Sequence, residues 1–146
     1  MKIFLRLVLI GLILVCPSVD ATATATPQQE QALVKTSDWI LKQAFLNKKS
    51  GLQVRGGGVV SSVLGDDTVG ERHQRFILRL ASGQTLLITH NIGIALRLMG
   101  LQPGDAVKFY GQYEWNDRGG LVHWTHHDPN GQHINGWLKY RGKIYR

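Results

Sequence analysis

The stretch GDAVKFYGQYEWNDRGGLVHWTHHDPNG, residues 104–131, decides the fold expected for this chain. Two strand-like runs flank residues 116–120, whose Asn, Asp and Gly content is typical of a tight turn. In the first run apolar and polar residues alternate, which predicts a strand with one buried face. The residues expected to face inward are Val107, Phe109, Tyr113 and Trp115. The second run, Leu121 to His126, is expected to return beside the first.

The preceding residues continue the strand pattern. Runs from Leu52 to Leu64, His73 to Leu80 and Gln84 to His90 are separated by turn residues. The first contains Gly56-Gly57-Gly58, and glycines inside a strand mark a bulge or a sharp bend. A last small hairpin is expected around Arg141-Gly142.

Two helices complete the expected order. Thr26-Pro27-Gln28-Gln29 combines a cap, a proline at the first helical position and a capping-box glutamine, so residues 26–50 are predicted to form an N-terminal helix. Residues 91–100 are expected to form a short helix between strands three and four. The chain is therefore predicted to be mainly β, a small OB-like antiparallel barrel in a single domain at residues 52–146. A simple antiparallel meander is the alternative.

The first residues predict export. Lys2 and Arg6 give a positive start, an apolar run follows, and the small residues from Ala21 to Ala25 provide an A-x-A site. Residues 1–23 are interpreted as a signal peptide, with cleavage after Ala23 or Ala25, and the protein as periplasmic or secreted. A membrane anchor is the alternative, although the apolar run is shorter than the roughly 20 residues that span a bilayer.

Export changes the composition of the mature chain. Losing Lys2, Arg6 and Asp20 leaves 15 Lys+Arg against 9 Asp+Glu, a net charge of +6, and losing Cys16 leaves no cysteine. The mature domain therefore has no disulfide to stabilise it and relies on its core. Its positive charge favours an anionic polymer, nucleic acid or glycan, as partner. No transmembrane segment is expected in the mature chain, and a protein partner is not identified.

Residues 52–146 resemble a known bacterial family. The segments that carry the resemblance are RHQRFILRLASGQTLLITHNI at 72–92, GDAVKFYGQYEWNDRGGLVHWTHHDP at 104–129 and GQHINGWLKYRGKIY at 131–145, with HQRF, GD, YEWN and HWTHHDP as the motifs. The family is an uncharacterised domain of unknown function whose members are small exported proteins. The resemblance implies a location in the bacterial cell envelope or outside the cell, and it supplies no activity.

Histidines between residues 123 and 133 suggest a site. Histidine is a standard zinc ligand, and His123, His127 and His133 are the candidate ligands for zinc or a similar divalent metal. On one continuous strand His126 would face away from His123 and His127, which weakens the metal hypothesis. We therefore expect no cofactor and keep the metal as an alternative.

A catalytic reading needs a base. His126 beside Asp128 would be the general base of a metal-dependent hydrolase or nuclease. The alternative role for Asp128 is to cap its own turn before Pro129. No serine or cysteine nucleophile motif is present. A binding function is therefore favoured over an enzyme, and the hydrolase or nuclease is kept as the alternative.

Aromatic and cationic residues favour binding instead. Aromatic rings interleaved with cations on a barrel face stack bases or sugars. The candidate ligand-binding residues are Arg72, His73, Arg75, Arg79, Tyr110 and Trp124. The function that we expect is an exported binding module for an anionic or polymeric ligand. The alternatives are the hydrolase or nuclease and an envelope domain that binds another protein.

Overall fold

The structure is a computed structural model that describes residues 25–146. Its elements in chain order are α1 (Pro27–Leu46), β1 (Leu52–Val63), β2 (His73–Arg79), β3 (Thr85–Asn91), β4 (Ala106–Glu114), β5 (Leu121–His123), β6 (Trp137–Tyr140) and β7 (Lys143–Tyr145). The expected signal peptide at residues 1–23 lies outside the described residues and stays a prediction. Within the described part of the chain, no helix is long and apolar enough to cross a membrane.

Five strands close into a barrel. The strands run in the order β1-β2-β3-β5-β4, and β4 pairs back onto β1. The β3–β5 pair is parallel and the other pairs are antiparallel. The chain is thus mainly β with an OB-like barrel, as predicted, and the simple meander is excluded by the β1–β4 and β3–β5 pairings. β6 extends the sheet along β4, and β7 pairs with β6.

Glycines allow β1 to pair with two neighbouring strands. β1 pairs with β4 from Leu52 to Val59 and with β2 from Val59 onward, with a register shift between Val60 and Ser62. A Cβ atom on Gly58 would lie 2.5 Å from the carbonyl oxygen of Arg79. The strand can therefore bend from one neighbour to the other only where that side chain is missing.

Alternation fills the barrel. In β2 and β3 every second residue is buried, and the same holds in β4. The largest fully buried side chains are Tyr113, Phe76, Phe109, Leu41, Leu78, Leu86, Ile88, Leu98, Leu138, His90, Val60 and Val107. The complementary residues form an outer surface on which polar and aromatic side chains are displayed.

The N-terminal helix begins as the sequence predicts. Thr26 accepts a hydrogen bond from the Gln29 amide, and the Gln29 side chain accepts one from the Thr26 amide, which completes a capping box. Leu41 and Ala44 enter the core, and the Asp38 carboxylate accepts a hydrogen bond from the Ser82 amide at 2.8 Å. The Asp38–Ser82 bond fixes the C-terminal half of α1 beside the β2–β3 turn, while Glu30 near its N-terminus pairs with Lys108 of β4.

The short helix predicted at residues 91–100 is absent, and the prediction was wrong. This segment, which follows β3, forms turns without a helix. Two buried side chains form hydrogen bonds with backbone groups that would otherwise pair within a helix. Gln74 bonds both the amide and the carbonyl of Leu98, and His90 Nε2 bonds the Leu96 carbonyl at 3.1 Å. Leu98 is 1% exposed, so the segment still closes its end of the barrel.

The C-terminal hairpin is confirmed. β6 and β7 pair antiparallel, with Tyr140 opposite Lys143. Both turn residues have positive φ, 48° at Arg141 and 77° at Gly142. This is the backbone of a tight hairpin turn whose twist matches that of the flanking strands.

Candidate functional site

The second strand of the 104–131 stretch is shorter than expected. β5 ends at His123, because Trp124 adopts a left-handed backbone with φ of 51° and turns the chain out of the sheet. The chain rejoins at Gly136, whose amide donates to the His126 carbonyl at 2.9 Å. Residues 124–136 form a loop with close ends, which we call the Trp124 loop.

Asp128 holds this loop together. Its carboxylate is 4% exposed and accepts hydrogen bonds from the backbone amides of Asn130, Gln132 and His133 at 2.6–2.9 Å. The bond from Asn130 and the other two amide bonds lower the pKa of Asp128, against the opposing effect of burial. The structure thus gives Asp128 a capping role within the loop, and His126 bonds the His127 carbonyl rather than Asp128.

Trp124 lies among three imidazoles. The ring of His133 stacks on its indole with 4.0 Å between centroids and 9° between planes. The rings of His126 and His123 lie tilted at 5.4 Å and 6.1 Å. His133 covers one face of the indole, so Trp124 packs within the loop. Its ring therefore offers less surface to a ligand than expected from the sequence.

A cleft of about 390 Å³ lies beside this loop, and we call it the histidine cleft. It spans the ends of β2, β3 and β5. The lining residues are Glu71, His73, Thr89, Asn91, Ile94, His123, Trp124, His126, Asp128, Pro129 and Asn130. The structure therefore brings together His73, His126, Asp128 and Trp124, which the sequence predicted separately for ligand binding and for catalysis.

Two of the cleft histidines are held in the same way. Nδ1 of His73 lies 2.8 Å from the Glu71 carbonyl oxygen, and Nδ1 of His126 lies 2.8 Å from the His127 carbonyl oxygen. A carbonyl oxygen can only accept a hydrogen bond, so each Nδ1 carries a proton. In the neutral ring Nε2 then holds a free lone pair.

His123 and His90 complete the histidine environment. Nε2 of His123 lies 3.6 Å from Glu114, and burial lowers the pKa of His123 against the opposing effect of that carboxylate. His90 lies on the inner face of β3 with no exposed surface, where Nδ1 bonds the Thr125 hydroxyl at 2.9 Å. Burial lowers the pKa of His90 to about 4, so it is neutral at physiological pH.

The predicted metal ligands do not converge. His123 lines the cleft, His133 stacks on Trp124, and His127 is exposed outside the cleft. Within residues 25–146, no three His, Cys, Asp or Glu side chains are placed to hold a metal ion. His123 and His126 both line the cleft, because strand alternation ends at the left-handed Trp124. The expectation that His126 faces away from His123 was therefore wrong.

The predicted arginines lie outside the cleft. Arg75 and Arg79 are on the outer face of β2, and Arg75 Nε donates to the Gly65 carbonyl at 2.9 Å. Arg72, in the loop before β2, lies 3.6 Å from Asp66. The Arg97 guanidinium contacts the same carboxylate, and its hydrogen bond is the main cause of the lowered pKa of Asp66.

Tyr110 belongs to a second surface, on the outer side of β1, β4 and β6, which we call the aromatic–basic face. Its members are Arg55, Lys108, Tyr110, Trp137 and Lys139. The Tyr110 and Trp137 rings are neighbours, 6.2 Å apart and tilted by 36°. The Arg55 guanidinium lies over Tyr110 at 5.3 Å.

Arg55, Trp137 and Lys139 were not predicted from the sequence as neighbours of Tyr110. Residue alternation from the buried Val54 and Leu138 would have set all three on the outer side of their strands. Alternation does not predict strand register. The β1–β4 register places Arg55 opposite Tyr110, and the β4–β6 register places Trp137 opposite Tyr110.

Comparison with known protein families identifies the family of this chain. Residues 25–146 match the family described as protein of unknown function DUF3465. The chain belongs to this family. The match covers both surfaces described above and all seven strands, and it confirms the predicted membership of an uncharacterised family of unknown function. No curated protein matches the chain.

Proposed function

We propose that this member of the DUF3465 family is a non-enzymatic module that binds an anionic polymer, nucleic acid or acidic glycan, on the aromatic–basic face. The observation that carries the proposal is the adjacent pair of rings, Tyr110 and Trp137, surrounded by Arg55, Lys108 and Lys139. Rings of this kind stack bases or sugars, and neighbouring cations attract the charged backbone of the polymer. We also propose that the module acts outside the cytoplasm, as the sequence of residues 1–23 predicts.

Single-stranded nucleic acid suits this face best. Each base offers a flat surface to the Tyr110 or Trp137 ring, and stacking of this kind contributes about 1–3 kcal/mol per base. The Arg55 guanidinium lies over the Tyr110 ring and offers its own planar surface to a base. An acidic glycan would use the same cations but would place sugar rings on the aromatic pair.

One acidic residue on α1 opposes the cations. Glu30 pairs with Lys108 at 2.8 Å, and its hydrogen bond with Lys108 lowers the Glu30 pKa, so the carboxylate stays ionised at neutral pH. A polyanion must compete with this carboxylate for Lys108. Glu30→Gln is therefore expected to strengthen binding, whereas loss of Lys108 weakens it.

The test is a titration of the mature protein with fluorescent single-stranded DNA and with an acidic polysaccharide at several salt concentrations. Three cations in contact with a single strand predict that log K falls against log salt with a slope of about −2. Lys108→Gln or Lys139→Gln should reduce that slope by roughly 0.7 each. Absence of binding to both polymers at low salt would overturn the proposal.

A further inference from the structure

The histidine cleft has a different chemistry from the aromatic–basic face. Of the described residues that line it, none is lysine or arginine, while Glu71 and Asp128 contribute two carboxylates. When the imidazoles are neutral, these two carboxylates give the lining a negative charge. The cleft therefore does not suit the phosphates or carboxylates of a polyanion.

The cleft is rich in hydrogen-bond acceptors. His73 and His126 have Nδ1 bound to backbone carbonyls, which leaves the lone pair of each Nε2 as the free acceptor, and neither Nε2 has a partner within residues 25–146. The Glu71 carboxylate receives one hydrogen bond, from the Asn91 side chain. A ligand that fills this space must bring several donors.

The remaining walls are less polar. Ile94 and Pro129 offer apolar surface beside the indole of Trp124, and Thr89 and Asn130 add side chains that both donate and accept. The volume of about 390 Å³ is within the range of small-molecule sites. Hydroxyl donors together with apolar C–H faces are the chemistry of a sugar ring.

We propose that the histidine cleft binds an uncharged saccharide unit, whose hydroxyl groups donate to Glu71 and to Nε2 of His73 and of His126. Protonation of either imidazole would convert its Nε2 from an acceptor into a donor and would remove that contact. Binding is therefore expected to weaken on acidification. The titratable side chains that line the cleft are Glu71, His73, His123, His126 and Asp128, and neutral His90 lies behind them on β3.

The site is independent of polyanion binding, because it uses none of the aromatic–basic residues. Tyr110→Ala with Trp137→Ala should leave saccharide binding unchanged even if it abolishes binding of DNA. His73→Phe keeps a flat ring at the rim of the cleft and deletes both ring nitrogens, so it should abolish binding. His127→Phe makes the same change at the exposed histidine outside the cleft and should have no effect.

The experiment is an amide NMR titration of the mature protein with neutral trisaccharides of glucose, galactose, mannose and N-acetylglucosamine. We expect at least one to shift the amides around Glu71, Asn91 and Asn130, with an affinity that does not depend on salt concentration. That affinity should fall about tenfold or more when acid protonates the imidazoles. Asn130→Ala, whose backbone bond to Asp128 is retained, should weaken binding and serves if His73→Phe does not fold. No shift with any trisaccharide at about 10 mM would overturn the proposal, as would binding of inorganic phosphate that strengthens on acidification or binding of putrescine instead of the sugars.

Discussion

The imidazole of His133 lies flat on the indole of Trp124, with 4.0 Å between the ring centroids. This contact joins the two halves of the Trp124 loop. A stacked aromatic pair contributes about 0.5–1.5 kcal/mol beyond the area that it buries. His133→Ala should therefore lower the free energy of unfolding by about 1 kcal/mol, measured by urea denaturation.

The matched control for this change is His127→Ala. His127 is exposed, and a surface substitution of this kind should stay within about 0.5 kcal/mol of the wild type. Equal effects of the two substitutions would show that the stack does not stabilise the loop.

Because His90 is buried in the neutral form, we expect the folded protein to lose stability in acid. Its pKa is lowered by burial to about 4, while the unfolded chain binds the proton near pH 6.5. Because the unfolded state takes up the proton first, stability falls as the pH drops from about 6.5 to about 4, by about 3 kcal/mol from this group. The measurement is the urea midpoint against pH, alongside NMR titration of the His90 ring. A His90 pKa near 6.5 would contradict the prediction.

Asp128 predicts local order in the Trp124 loop. Asp128→Asn retains one carbonyl-type oxygen but replaces the other with an amide nitrogen, which cannot accept from Gln132 or His133. Hydrogen exchange should accelerate at those two amides and leave β2, β3 and β4 protected. Asp117→Asn, at an exposed position in the β4–β5 loop, is the control and should leave exchange unchanged. Unaltered protection at Gln132 and His133 would rule out the capping role.

Gly136, where the loop rejoins the sheet, has no room for a side chain. A Cβ atom there would lie 2.6 Å from the Tyr110 carbonyl oxygen and closer still to that of Trp124. Gly136→Ala should destabilise the protein by about 1–3 kcal/mol, because the backbone must shift to admit the methyl group. Gly65→Ala has open space around its Cβ and should be tolerated. Thermal unfolding of both variants decides the matter, and equal melting temperatures would argue against a tight approach at Gly136.

Much of the barrel follows from the sequence. Alternation assigns the buried and exposed faces of β2 and β4 correctly, because each strand has one face in the core. Trp115, which was expected to face inward, follows the end of β4 and is partly buried. The capping box at Thr26 likewise marks the start of α1. The helix predicted after β3 does not form, because its local sequence pattern does not account for hydrogen bonds from distant side chains. Gln74 and His90 form hydrogen bonds with the backbone of that segment.

The candidate surfaces were predicted only in part. His126 was expected to face away from His123, but the two residues line the same cleft. Strand periodicity does not predict the left-handed backbone at Trp124 that causes this. Tyr110 was correctly placed outside, but its neighbours Arg55 and Trp137 come from β1 and β6, and only strand register brings them together. Residue types suggested the chemistry, and tertiary pairing determined which of them share a surface.

The most direct test of the proposed function compares two faces of the same barrel. Tyr110→Ala with Trp137→Ala removes the ring pair, whereas Arg75→Gln with Arg79→Gln removes two cations from the outer face of β2. The measurement is the dissociation constant for fluorescent single-stranded DNA at fixed, moderate salt, with folding of each variant checked by circular dichroism. Loss of stacking at Tyr110 and Trp137 predicts a dissociation constant at least about tenfold weaker for the first variant, and little change for the second. Unchanged affinity in the first variant, with weakened binding in the second, would contradict the account and move the site to β2.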